Sequence, residues 1–119
     1  MLVADIHHVS LNVVDTERSL GFYRDVLGLA VLPRPDFGFA GAWLDAGNGR
    51  QVHLIETDVV PDDAGQHFAF AVTDIDEVVS ALRAAGYRIG DPKSVGGSAA
   101  RQTFVHDPDG NRVEFNQPA

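Results

Sequence analysis

His8, His53, His67 and Glu114 are the side chains of this sequence best suited to hold a metal and move a proton. Three imidazoles and one carboxylate match a divalent transition ion such as zinc, nickel, cobalt, manganese or iron(II). They fall into two pairs of similar separation: His53 follows His8 by 45 residues, and Glu114 follows His67 by 47. A lone strand histidine is usually a hydrogen-bonded rim or core residue. Four ligand-type residues at matched offsets ask for a shared explanation. Burying Glu114 without a partner is costly, so a cation or an arginine is expected beside it.

The elements that must position them are legible in the hydrophobic pattern. In IHHVSLNVVD, residues 6–15, Val9, Leu11 and Val13 share one phase, and His8, Ser10 and Asn12 share the other. Such alternation predicts a strand with one face in the core. The same logic sets Val52 and Leu54 against Gln51, His53 and Ile55. It sets Phe68, Phe70 and Val72 against His67, Ala69 and Ala71, and Val113 and Phe115 against Arg112, Glu114 and Asn116. All four candidate ligands therefore occupy the phase opposite the core, while His7 falls in the core phase near a strand edge. Further strands are predicted at 30–34, 39–45, 87–90 and 101–106.

Two helices complete the pattern. DTERSLGFYRDVLGL opens at Asp15 or Thr16, carries Leu20, Phe22, Tyr23, Val26 and Leu27 as its apolar stripe, and closes at Gly28. TDIDEVVSALRAAG opens at Asp74, with Glu77 in capping-box spacing, and ends at Gly86. His8 precedes Asp15 by seven residues, as His67 precedes Asp74. The chain thus reads as one α+β domain made of two βαβββ modules, about 1–57 and 66–119, with a connector over 58–65. The expected architecture is a curved, eight-stranded mixed sheet around a metal cleft, where the four ligands converge. Asp107, Asp109 and Asn111 alternate like the start of a calcium loop, but the downstream carboxylate is missing. A hairpin with Gly110 at positive φ explains DPDGN better.

Composition narrows the function. Nine Lys and Arg against seventeen Asp and Glu give a formal charge of −8, which disfavours nucleic acid and anionic membranes. With no cysteine, thiolate sites and disulfides are excluded. No signal peptide and no spanning segment is evident, so a cytoplasmic protein acting on a small molecule is expected.

HHVSLNVVDTERSLGFYRDVLGL, VHLIE, HFAFAVTDIDEVVSALRAAG and DPDGNRVEF together resemble the vicinal oxygen chelate superfamily. This group contains glyoxalases, bleomycin-resistance proteins, fosfomycin-resistance enzymes, methylmalonyl-CoA epimerase and extradiol dioxygenases. The resemblance implies metal ligands at His8, His53, His67 and Glu114, a homodimer, and a substrate whose neighbouring oxygens chelate the ion. It implies a lyase or isomerase of glyoxalase or epimerase type, with Glu114 as the base beside a carbonyl. Histidine at position 53 departs from the Glu or Gln common in isomerase relatives. An alternative is an extradiol dioxygenase using iron(II) on His8, His67 and Glu114, with His53 as acid and base. Another is a resistance module that binds an aromatic drug without chemistry, stacked on Phe37, Phe39 and Trp43. Glutathione-using relatives carry a basic residue where FYRDVLG has Asp25, so glutathione is not expected here. Asn12, Phe39, Trp43, Arg101, His106 and Arg112 are candidate substrate contacts. Residues 91–101, with Lys93 and Arg101, form either a lid over an anion or a plain connector.

Overall fold

The computed structural model describes residue 2, residues 4–60 and residues 65–119, so residues 61–64 of the expected connector lie outside the described residues. The chain divides into two compact units, Met1–Val60 and Pro61–Ala119. Each holds one mixed four-stranded sheet and one helical segment. The α+β class and the two βαβββ modules are as the sequence implies.

In the first unit the strands are β1 (His8–Val13), β2 (Ala30–Leu32), β3 (Gly41–Gly47) and β4 (Arg50–Glu56), in the order β1-β4-β3-β2. β1 runs parallel to β4, and the other pairs are antiparallel. The second unit repeats this with β5 (His67–Ala71), β6 (Lys93–Ser94), β7 (Arg101–His106) and β8 (Arg112–Gln117), in the order β5-β8-β7-β6. Val13, Leu44, Val52 and Leu54 are buried in one unit; Val105, Val113 and Phe115 are buried in the other. Val9, Leu11, Phe68 and Phe70 share the core phase but are only half-buried, because β1 and β5 are edge strands.

The helices start where their caps predict. The Asp15 side chain accepts from the Arg18 backbone N–H at 3.2 Å, opening α1 (Thr16–Leu20). Asp74 does the same for the Glu77 N–H, also at 3.2 Å, opening α2 (Ile75–Ala84). A second contact ties each helix start to the ligand-bearing strand of its unit. The Thr16 N–H and hydroxyl both donate to Glu56 Oε2 of β4, at 3.1 and 2.7 Å. The Ile75 N–H donates to Gln117 Oε1 of β8, at 2.9 Å. The α2 stripe of Ile75, Val79 and Leu82, at helical spacing, is buried.

Two local predictions differ from the structure. The first helix does not continue in α geometry but passes into a π-helical segment, Gly21–Val26, with Leu27 N–H donating to the Phe22 carbonyl five residues back. The wider turn brings the consecutive rings of Phe22 and Tyr23 fully into the core, edge to face at 4.8 Å. The strand predicted at 87–90 is not formed. Arg83 donates to the Ile89 carbonyl, and the Thr103 hydroxyl donates to the Gly90 carbonyl, so side chains take the place of a ladder there. Pairing starts only at Lys93, across from Gln102.

Candidate functional site

Both units place their candidate ligands by one rule. His8 opens β1 opposite Gln51, and His53 lies two residues further along β4. His67 opens β5 opposite Arg112, and Glu114 lies two residues further along β8. In a parallel pair, residues offset by two share a face, so each unit brings its pair together on the face turned from its helix.

In the second unit, His67 Nε2 lies 3.0 Å from Glu114 Oε1, and the Asn116 amide donates to Glu114 Oε2 at 3.1 Å. His67 Nδ1 meets the Gly65 carbonyl at 2.9 Å, which fixes the ring and leaves Nε2 toward the carboxylate. Glu114 is 8% exposed. An arginine is one of the two partners expected for this buried carboxylate; the protein groups that contact it are instead an imidazole and an amide. Arg112 projects from the same face, but its guanidinium sits over the Phe104 ring at 4.3 Å. Phe104 also meets His67 edge to face at 5.3 Å, closing one side of the pair. His106 is exposed across the ladder from Arg112.

In the first unit, the rings of His8 and His53 stack at 3.9 Å, and Trp43 stacks on the other face of His53 at 4.5 Å. His53 Nε2 is 2.8 Å from Gln51 Oε1, and His7 Nδ1 is 2.9 Å from His8 Nδ1. Burial, with smaller contributions from His8, His7 and Arg34, pushes the His53 imidazole below its ordinary value and favours the neutral, ligating form.

Beside this stack lies a cavity of about 190 Å³ lined by Arg34, Phe37, Phe39, Trp43, His53, Leu54 and Ile55. Phe37 stacks on Phe39 at 5.8 Å and tilts against Trp43 at 6.0 Å. Arg34 lies 5.0 Å from the Phe37 ring centre and 5.1 Å from that of Phe39. Gly41 permits the close approach of β3 to β4, since a Cβ there would collide with the Leu54 carbonyl.

Arg101 and Asn12 are already engaged. Arg101 projects in the core phase and forms a two-pronged pair with Asp76 of α2, both contacts at 3.0 Å. That pairing holds the Asp76 carboxyl below its ordinary value and raises the Arg101 guanidinium. The Asn12 amide donates to the Val59 carbonyl at 2.8 Å. The 95–100 stretch is a hairpin tip, with Val95 N–H donating to the Ala100 carbonyl at 2.9 Å. DPDGN is likewise a closed turn, Gly110 having φ of 86°. Buried Asp107 there accepts from the Asp109 and Asn111 N–H groups.

In the second unit the donor pair fits a divalent ion, whereas in the first the His8 and His53 rings are stacked, with His53 Nε2 on Gln51 and His8 Nδ1 on His7. Two donor atoms 3.0 Å apart, as His67 Nε2 and Glu114 Oε1 are, match neighbouring positions on an ion with bonds of ~2.1 Å. Among the described residues no three His, Asp or Glu side chains gather around one point. Sequence reading missed Arg34 and Gln51. Gln51 carried a signal, the same strand phase as His53; Arg34 carried one only in its nearness to Phe37 and Phe39.

Residues 5–115 match the family model of the glyoxalase/bleomycin resistance protein/dioxygenase superfamily. The chain is 33% identical to a lactoylglutathione lyase of Haemophilus influenzae, over 92% of this chain and 90% of that one. It is 29% identical to a lactoylglutathione lyase of Neisseria meningitidis, over 92% and 88%. A glyoxalase family protein from Enterococcus faecalis has the same fold, with a TM-score of 0.82 at 25% identity, over 98% of this chain and all of that one. So does the fosfomycin resistance protein FosX of Listeria monocytogenes, solved with Mn(II), with a TM-score of 0.85 at 17% identity, over 99% and 95%. With the matched model spanning nearly the whole sequence, the chain belongs to the glyoxalase/bleomycin resistance protein/dioxygenase superfamily.

Proposed function

We propose that this protein is a metal-dependent enzyme of glyoxalase or epimerase type, acting on a small substrate with neighbouring oxygens next to an acidic C–H. The observation that carries this reading is the buried Glu114 carboxylate held against His67, with His8 and His53 set by the same offset in the other unit. His8, His53, His67 and Glu114 would hold the ion. When bound, it supplies Lewis-acid stabilisation of negative charge on the substrate oxygens.

The protein's own groups do the rest. Glu114, once loosened from the ion, would accept the substrate proton on a carboxylate oxygen. Asn116 orients that carboxylate through its hydrogen bond to Oε2. His67, with Nδ1 engaged by the Gly65 carbonyl, presents Nε2 beside the other oxygen, where both would face the ion.

Glutathione is not the co-substrate proposed here. Asp25, where glutathione-using relatives carry a basic residue, takes the neighbouring Arg24 at 2.8 Å, and Glu17 lies 3.9 Å from the same guanidinium. With Arg24 occupied by these two acids, a glutathione carboxylate would find no unpaired cation at this position. The protein is therefore proposed to leave the hemithioacetal of glutathione unconverted. A homodimer in the cytoplasm completes the proposal, its dimeric part supported by the edge strands β1, β2, β5 and β6 and by exposed Ile6, Val31 and Val59.

The test is elemental analysis after purification without chelator, followed by titration with zinc, nickel, cobalt, manganese and iron(II). The reading expects stoichiometric binding, lost in His67→Ala. No binding of any of these ions would end it. Binding of planar aromatic compounds by a protein that never takes metal would establish the sequestering reading, which the aromatic cavity beside His53 favours.

A further inference from the structure

We infer that the cavity of the first unit selects an aromatic anion, its ring seated among Phe37, Phe39 and Trp43 and its charged group on Arg34. This deepens the proposed enzyme by naming its substrate class, and it rests on that reading only in placing the ligand beside His53.

The wall is built for a flat ring. Trp43 is half-buried and held parallel to His53, while Phe37 and Phe39 remain 50% and 49% exposed, presenting apolar faces to whatever enters. Aromatic faces at such spacing accept an offset or tilted ring. A purely apolar guest would satisfy the wall alone.

Arg34 adds the demand for charge. It is half-buried, one of its N–H groups donates to the Phe39 carbonyl at 3.1 Å, and its plane lies near both phenyl rings. No carboxylate among the described residues pairs with it, unlike Arg24, Arg50, Arg83 and Arg101, each of which has one. A guanidinium packed against rings sheds part of its hydration and keeps its remaining donors in a planar fork, the arrangement that suits a carboxylate. The chain's net charge of −8 opposes anions in general. Charges farther away than about 8–10 Å are screened at physiological salt, so a single Arg at contact distance decides the outcome locally.

Fluorescence of Trp43, the single tryptophan of the chain, reports occupancy directly. Three probes separate the contributions: benzoate (ring and charge), benzamide (ring alone) and acetate (charge alone). The proposal expects saturable quenching by benzoate at least 10-fold tighter than by benzamide or acetate. Arg34→Gln should weaken benzoate about 10-fold, to the level of benzamide, with benzamide itself changed less than twofold. Arg34→Lys should fall between, because an ammonium lacks the fork. Phe37→Ala with Phe39→Ala should weaken both ring-bearing probes. Equal affinities for benzoate and acetate, no saturable response to benzoate, or indifference to Arg34→Gln in a variant with native circular dichroism would overturn it. Titrations run in chelator keep the two readings apart. Benzoate binding by a protein that takes no metal sinks the enzyme alone; metal binding without benzoate binding sinks the substrate class alone.

Discussion

His67 and Glu114 meet across the parallel ladder of β5 and β8, Nε2 to Oε1 at 3.0 Å, although their backbones are not directly paired. The carboxylate's register partner is Ala69, whose small side chain leaves the space above it to His67. His8 reaches His53 by the same diagonal over Ser10. A small residue between the two groups is thus a feature of both halves. Replacing Glu114 by Gln keeps shape and volume but removes the anionic ligand. Metal affinity by calorimetry should fall by more than ~100-fold, while the melting temperature in chelator moves little.

The Asp76–Arg101 pair sets a pH signature. Arg101 holds the Asp76 carboxyl below its ordinary value of 3.8, so the unfolded chain binds the proton more readily. The contribution is present above that ordinary value and is lost as pH falls through the lower folded one. Urea unfolding of the native chain and of Asp76→Asn should differ by a constant amount from about pH 5 upward and converge in stronger acid. The reciprocal rise at Arg101 changes stability only in strong alkali.

Gly41 and Gly21 offer a contrast in backbone space. A Cβ at position 41 would run into the Leu54 carbonyl and crowd Arg34. Gly41→Ala should cost about 1–3 kcal/mol and loosen the cavity wall. At position 21 nothing lies within 4 Å of the added Cβ, and φ is −56°. Gly21→Ala should be neutral or stabilise by ~0.5–1 kcal/mol. Thermal melts of the two variants should move in opposite directions, or the second should stay still.

Asp107 is a structural acid. Its Oδ1 accepts the N–H groups of Asp109 and Asn111, and its Oδ2 accepts from the Asn111 side chain at 2.9 Å. Asp107→Ala strands these donors in a buried turn and should cost about 2–4 kcal/mol by denaturant unfolding. Added calcium should not restore the loss, because the variant lacks the carboxylate that the turn's N–H groups need.

Phase carried most of what the sequence could tell. Because side chains alternate strictly along a strand, Glu114 could be assigned to the side away from Val113 and Phe115 without any partner being known. Caps were equally readable, as the Asp15 and Asp74 hydrogen bonds are local. What escaped was non-local or depended on competing backbone partners. The π turn answers the need to bury Phe22 and Tyr23 together, and nothing in a helical repeat announces it. The missing strand at 87–90 reflects Arg83 and Thr103 reaching carbonyls that alternation had assigned to a ladder. Arg34 sits in an irregular stretch before Phe37, where periodicity has no force. Arg101 was read for its charge, while its partner Asp76 lay 25 residues away.

The clamp of Thr16 on Glu56, and of Ile75 on Gln117, gives each reactive strand a second task. His53 and Glu114 stand three residues upstream of these anchors, on the strand that also fastens the helix start. Unzipping either helix therefore means tugging on the very backbone that aims an imidazole or a carboxylate. Amides of β4 and β8 should be the last to exchange with solvent, and harm done at Thr16 or Ile75 should surface as misaimed chemistry some distance away.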